Sequence, residues 1–160
     1  MDKTLTLIRH AEALWNNHSN DHQRPLSQQG IEYACALAQE LKRRSVVFDQ
    51  IHSSDALRTE HTTTCLNQQL ACPSNQIFIR DDLYCASART LMEIIQQLDN
   101  QMQHIAIVAH NPGLTEYCEE LVGRQMAIFA PAAVVTMSLS VDDWRAVGAS
   151  TCTRHQTVLL

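Results

Sequence analysis

No stretch of this 160-residue sequence approaches the roughly 20 consecutive apolar residues that a helix needs to cross a bilayer. Met1-Asp2-Lys3-Thr4-Leu5 leads into a strand-like run with no apolar leader core, so neither a membrane nor a secretory route is expected, and a cytoplasmic protein is. The cysteines at positions 35, 65, 72, 85, 118 and 152 include no C-x-x-C pair. A chain this long buries a core without staples, so free thiols in a reducing compartment are expected. Formal net charge is −5, and no basic run or basic aromatic stripe is present, which argues against nucleic acid as a partner. His18, His22, His52, His61, His104 and His155 do not stand at metal-ligand spacing with cysteine or carboxylate partners, so no metal and no other cofactor is expected. Internal repeats and low-complexity segments are absent as well. The length fits one domain, residues 1–160, with a monomer as the expectation.

What remains is an alternation of strand-like and helix-like segments, the pattern of an α/β sheet with helices on both faces. Thr4 to Arg9 reads as the first strand, followed by a polar loop from Ala11 to Gln23. Ser27 offers an N-cap to a helix carrying Ile31, Ala34, Leu37, Ala38 and Leu41 at helical spacing and ending at Lys42-Arg43-Arg44, where cations suit a C-terminus. Phe48 to Ser53 reads as a strand, Asp55 to about Leu70 as a helix, Ile77 to Ile79 as a short strand, and Ser87 caps a helix with Leu91, Ile94, Ile95 and Leu98 on its apolar face. His104 to Ala109 is the expected central strand, and Pro112-Gly113 opens a helix ending near Gly123. Ala132 to Val141 and Arg145 to Ala149 read as two strands around a tight Asp142-Asp143 turn, with Ser150 to Leu160 ambiguous.

Three of these strands end in chemistry. Arg9-His10 follows Leu5-Thr6-Leu7-Ile8, His110-Asn111-Pro112-Gly113 follows Ile105 to Ala109, and Ser53-Ser54 precedes a helix bearing Arg58. In an open α/β sheet the ligand crevice lies at the carboxyl ends of the strands, so these residues are expected to converge there. An acidic chain would thereby concentrate cations at one rim.

In order, these motifs resemble those of the histidine phosphatase superfamily, the phosphoglycerate mutase-like family, and especially its short SixA-type branch of protein phosphohistidine phosphatases. Arg9-His10-Ala11 resembles the family's Arg-His-Gly opening, Ser53 to Thr62 its Ser-Ser-x-x-x-Arg-x-x-x-Thr element, and Ala109 to Gly113 its Gly-His-Asn-Pro-Gly element. Arg24-Pro25-Leu26-Ser27-Gln28-Gln29-Gly30 resembles a short-branch element, and Asp82-Leu83-Tyr84 a Leu-Tyr element. The resemblance runs from Thr4 to about Gly123. It implies a three-layer α/β/α sandwich with a mixed, mostly parallel sheet. It also implies a metal-independent phosphohydrolase acting through a phosphohistidine intermediate.

On that resemblance His10 is the nucleophile, a neutral imidazole attacking phosphorus. A histidine pKa of about 6.5 leaves much of it neutral at pH 7, and nearby arginines would lower it further. Arg9 and Arg58 would bind phosphoryl oxygens in bidentate fashion. His110 would donate to an equatorial oxygen and stabilise a metaphosphate-like transition state. Asn16 and Asn111 are the candidate substrate-binding residues, the latter where backbone amides open a helix. Glu12 would orient loop groups.

Ala11 and Ala109 stand where the family has glycine, which adds a methyl at each without removing a reacting group. No carboxylic acid for protonating an alkoxide stands out; Asp81, Asp82 and Glu93 are the candidates. A phosphohistidine needs little acid catalysis, because its ring can leave as neutral imidazole. The expected partner is therefore a phosphorylated protein carrying phosphohistidine, binding through its phosphate in a shallow site. A small-molecule phosphomonoesterase or mutase of the same superfamily is the alternative. From another class, a catalytically weak phosphoprotein-binding module is the third reading.

Overall fold

The computed structural model describes residues 1–15 and 20–160. Among these, strands β1 (Lys3–Arg9), β2 (Gln50–Ser54), β3 (Ile77–Arg80), β4 (His104–Ala109), β5 (Val134–Leu139) and β6 (Cys152–Val158) form one sheet. Its order is β3-β2-β4-β1-β5-β6. The pairs β1–β4, β2–β4 and β2–β3 are parallel, whereas β5 runs antiparallel to β1 and to β6. Helices α1 (Gln28–Arg43), α2 (Leu57–Leu70), α3 (Ala88–Ile95) and α4 (Gly113–Val122) connect the parallel strands and follow the last of them.

The apolar strand runs are explained by burial on both faces, which removes the usual alternation of apolar and polar residues. Leu5 and Leu7 of β1, and Ile105, Ile107 and Ala109 of β4, face one core with α3 and α4. Ile8, Ala106 and Val108 face the opposite core with α1 and α2. Successive side chains of a strand point to opposite faces, so two helical layers sandwich the sheet. Thr6, fully buried in the second direction, satisfies its hydroxyl with His104 Nε2 at 2.8 Å and Thr136 Oγ1 at 2.9 Å.

The helix starts follow their caps. Ser27 accepts from the Gly30 amide and Ser87 from the Thr90 amide, each filling an orphan donor of the first turn. Helix α2 begins at Leu57, two residues later than its sequence pattern suggests, because Asp55 remains outside the helix. Its threonines are held by tertiary burial: Thr59, Thr62 and Thr63 are all buried.

Two elements near the end differ from the sequence reading. Residues Trp144–Ala146 form a 3-10 turn where a strand was expected from Arg145 to Ala149. Asp143 caps this turn at the Arg145 amide, and the fully buried Trp144 anchors it by donating Nε1–H to the Met102 carbonyl at 3.0 Å. The final strand is β6, inside the segment that looked ambiguous. It is an edge strand with mostly exposed, polar side chains, and so carries no apolar signature.

Among the described residues, no helix is long and apolar enough to cross a membrane.

Candidate active site

The parallel strands β1, β2 and β4 deliver their carboxyl ends to one rim. Arg9 pairs with Ala109 and Ser53 with Val108, so His10, Ser54 and His110 emerge side by side. His10 and His110 open on a cavity of about 390 Å³ whose lining also includes Arg9, Arg58, Asn111 and Asp21. All four residues read as catalytic from the sequence thus meet in one place.

His10 and His110 form the floor, 9% and 3% exposed, with ring centroids 5.4 Å apart. Nδ1 of His10 lies 2.7 Å from the Ala11 carbonyl oxygen. A carbonyl only accepts, so Nδ1 carries the proton and Nε2 keeps the lone pair. Burial foremost, then Arg58, Arg9 and Arg24, lower the pKa of His10 to about 4, so the imidazole is neutral at pH 7. The strand end is clamped from below. The Ala11 amide donates to Thr62 Oγ1, whose own hydroxyl donates to the Arg58 carbonyl, tying the His10 segment to α2.

Arg58, 4% exposed, donates from Nη1 to the Asp21 carbonyl at 2.7 Å and from Nη2 to Asp21 Oδ2 at 3.0 Å. The same Nη2 lies 3.3 Å from His110 Nδ1. On the other side of that ring, Nε2 is 2.8 Å from Ser54 Oγ. With Arg58 donating to Nδ1, the Nε2–H donates to Ser54. If an anion draws Arg58 away, Ser54 can donate instead and Nδ1–H becomes available to the pocket. Burial and then Arg58 lower the pKa of His110 to about 3, so its ring is neutral at pH 7 and carries one N–H in either tautomer. Ser54 belongs to the Ser-Ser element legible in the sequence, but its link to His110 appears only in three dimensions.

Arg9 donates from Nη1 to the Phe129 carbonyl at 2.7 Å. Its Nε and that of Arg58 are buried without a hydrogen-bond partner among the described residues, leaving donor capacity for an oxyanion. Arg24 also lines the cavity, donating from Nη1 to Asp21 Oδ1 at 3.1 Å and from Nε to the Leu14 carbonyl at 2.9 Å. It is a third cation that sequence reading placed in a motif without a role.

Asp81, Asp82 and Glu93 do not line the cavity: Asp82 pairs with Arg80, Glu93 pairs with Arg89 on the surface, and Asp81 is exposed. The carboxylates that do line it are Asp21 and Glu12. Asp21 accepts from Tyr84 Oη at 2.6 Å as well as from Arg24 and Arg58, and these donors hold it well below the usual carboxylate range. Glu12 accepts from Ser27 Oγ at 2.8 Å and so fastens the loop to the start of α1. Asn111 lines the cavity, yet its amide donates to the Phe129 carbonyl and its oxygen accepts from Thr115, so the side chain braces its own turn. Asn16 lies outside the described residues. Among those described, no three His, Cys, Asp or Glu side chains gather as a metal-binding group.

Solved structures share this architecture. A candidate phosphohistidine phosphatase SixA from Nakamurella multipartitia superposes with a TM-score of 0.79 at 23% identity, covering 98% of this chain and 96% of that one. The protein histidine phosphatase SixA complexed with tungstate gives 0.81 at 24% identity, covering 96% of each chain. Among curated proteins, an uncharacterized chloroplastic protein of Arabidopsis thaliana is 31% identical over an alignment of 137 residues that covers 80% of this chain. The chain spans 63% of that relative's length. The model of the histidine phosphatase superfamily (branch 1) matches residues 5–84, the segment that carries Arg9, His10, Arg24, Arg58 and Tyr84. With half of its length matched in this way, and His110 brought to the same rim by β4, the chain belongs to the histidine phosphatase superfamily, branch 1.

Proposed function

We propose that the protein is a metal-independent phosphohydrolase that removes a phosphoryl group from phosphohistidine on a protein, through a phosphohistidine intermediate on His10. The observation that carries this reading is the protonation pattern of the cavity. His10 is neutral with Nε2 as its lone-pair nitrogen, while the carboxylate set among the arginines, Asp21, is held ionised. A nucleophile is thus ready, and the carboxylate nearest the cations has no proton to give an alkoxide. That combination suits a leaving group that departs as neutral imidazole.

In the first half-reaction the Nε2 lone pair of His10 attacks phosphorus and the P–N bond of the substrate breaks, its electron pair returning to the substrate ring. Arg9, Arg58 and the Nδ1–H of His110 stabilise charge on the equatorial oxygens. In the second, a water oxygen attacks phosphorus as the P–Nε2 bond breaks, the electron pair returning to His10 and the water's protons leaving with the phosphate. The guanidiniums supply the charge stabilisation that a metal ion provides in metallophosphatases. The two structural relatives of SixA type, a candidate phosphohistidine phosphatase and a protein histidine phosphatase, support this reading. All six cysteines are free thiols, which fits a reducing compartment such as the cytoplasm, although the Arabidopsis relative is named as chloroplastic.

The test is to compare turnover of a histidine-phosphorylated protein with that of an aryl phosphate ester, with and without chelator. Faster, chelator-resistant turnover of the phosphohistidine substrate is expected. Preference for the ester, or loss of activity with EDTA and recovery with added metal, would overturn the proposal. Binding of the phosphoprotein without turnover would point to a binding module.

A further inference from the structure

The cavity has a floor and an outer wall of different chemistry. His10 and His110 are buried at the floor, whereas the Asp21 side chain is 47% exposed and Trp15 is 84% exposed, both on the lining. In an in-line displacement the leaving group departs on the side of phosphorus opposite the attacking nitrogen. With His10 attacking from the floor, the leaving group points at the outer wall.

We propose that Asp21, with the Trp15–Arg24 stack beside it, forms a leaving-group subsite that recognises the protonated imidazole of a phosphohistidine side chain. This deepens the function proposed above and rests on it. Asp21 Oδ2 accepts from Tyr84 Oη and Arg58 Nη2, and Oδ1 from Arg24 Nη1. These contacts fix the carboxylate in place and leave nearly half of the side chain open to an incoming donor. A phosphohistidine protonated on its second ring nitrogen presents one N–H and a positive charge, and a carboxylate answers both with a charge-assisted hydrogen bond. The phenolate or alkoxide of an ester would meet repulsion at the same spot. Trp15 lies over the Arg24 guanidinium at 3.8 Å and adds a flat, exposed aromatic surface on which an imidazolium can stack. The other lining carboxylate, Glu12, bonds to Ser27 instead and lacks this contact with the cations.

The chemistry balances without a further reactant. His10 Nε2 forms the new P–N bond, the old P–N bond breaks toward the substrate ring, and the proton on the other ring nitrogen stays where it is. The ring therefore leaves as neutral imidazole. Asp21 acts by keeping the bound ring protonated at pH values where the free ring would have lost its proton. The groups facing Asp21 are Arg24 from its own loop, Arg58 from α2 and Tyr84 from the turn after β3. His22, next in the chain, pairs with Asp55 at 3.0 Å, while Cys85 and His110 line the same cavity.

Asp21→Asn tests this, with kcat measured against pH for a phosphohistidine peptide and for an aryl phosphate ester. An opposite charge in contact raises the pKa of a cation by about 1 to 3 units. Removing it should move the alkaline limb of the phosphohistidine kcat profile down by about 1 unit, because kcat reports ionisations in the enzyme–substrate complex. At pH 8 turnover of that substrate should fall about 10-fold while ester turnover falls less than about threefold. Asp21→Glu should restore the limb at least in part. An unshifted limb, or equal losses on both substrates, would mean that Asp21 merely positions Arg58 and would overturn the subsite. A wild-type protein active on the ester but inert toward phosphohistidine would overturn the function reading, and the subsite with it.

Discussion

His10 donates its Nδ1 proton to the carbonyl oxygen of Ala11 across 2.7 Å, so the backbone of the next residue fixes the tautomer and leaves the lone pair on Nε2. The predicted consequence is a phosphoenzyme on His10. His10→Ala should lose turnover by on the order of 1,000-fold or more, as expected when a nucleophile is removed. Its far-UV circular dichroism should stay native, since Ala132 N and the His10 backbone carbonyl remain hydrogen-bonded. Acid-labile, base-stable label trapped on the wild type and still present on the variant would identify another nucleophile.

The parts of this site that lie in one strand end or one motif were legible in the sequence. Arg9-His10 and His110 follow short apolar runs that read as strands buried on both faces, and parallel strands place their ends at one rim. Arg58 is readable because it follows Ser53-Ser54 at the Ser-Ser-x-x-x-Arg spacing, at the start of the next helix. Asp21 is not, because it is one polar residue in a polar loop, and its partners Arg58 and Tyr84 are 37 and 63 positions away. The carboxylates chosen from the sequence, Asp81, Asp82 and Glu93, were near a family motif in order but not in space. Strand β6 escaped for a different reason: an edge strand needs only backbone pairing on one side, and its side chains can all be polar.

Those three carboxylates yield the next prediction. Asp82 spends its charge on Arg80 and Glu93 on Arg89, both in exposed pairs that contribute little to stability. Asp81→Ala, Asp82→Ala and Glu93→Ala should each change kcat/KM by less than about threefold on either substrate, far below the ~100-fold to 10,000-fold range of lost general acid catalysis. A large loss confined to the ester and to one of these variants would mean that the residue reaches the cavity during turnover and would favour a phosphomonoesterase.

Ser54 should matter more than its small side chain suggests. Its Oγ is 2.8 Å from His110 Nε2 and also accepts from the Ala56 amide, which leaves its own proton available to the imidazole. When the phosphoryl group takes over Arg58, Ser54 can donate to Nε2 and so place the His110 proton on Nδ1, facing the substrate. Ser54→Ala should lower kcat by about 10-fold with KM changed less than about twofold, the signature of an interaction made mainly in the transition state. Ser54→Thr, which keeps the hydroxyl, should recover part of the rate. Equal changes in kcat and KM for both variants would assign Ser54 to packing alone.

The last prediction concerns acid stability, where the two floor histidines set the sign. In the folded protein His10 titrates at about 4 and His110 at about 3, chiefly because burial penalises the imidazolium, whereas an unfolded histidine titrates near 6.5. The unfolded chain therefore takes up protons first as pH falls. Stability is full above the unfolded value and is lost as pH drops from about 6.5 toward 4, by up to about 2 kcal/mol per histidine at pH 5. Asp21 is also lowered, but from the ordinary carboxylate value, so its contribution is lost only at lower pH, in and below the carboxylate range, and does not enter this window. Urea unfolding between pH 7 and pH 5 should show the decline, and the double variant His10→Gln/His110→Gln should flatten it. His52, lowered to about 4, and His104, also lowered, should leave a residual slope. Inorganic phosphate should protect the wild type by mass action and the double variant much less. An unchanged pH slope in the double variant would show that the floor histidines take up protons in the folded state as readily as in the unfolded one, and the neutral nucleophile would lose its physical basis.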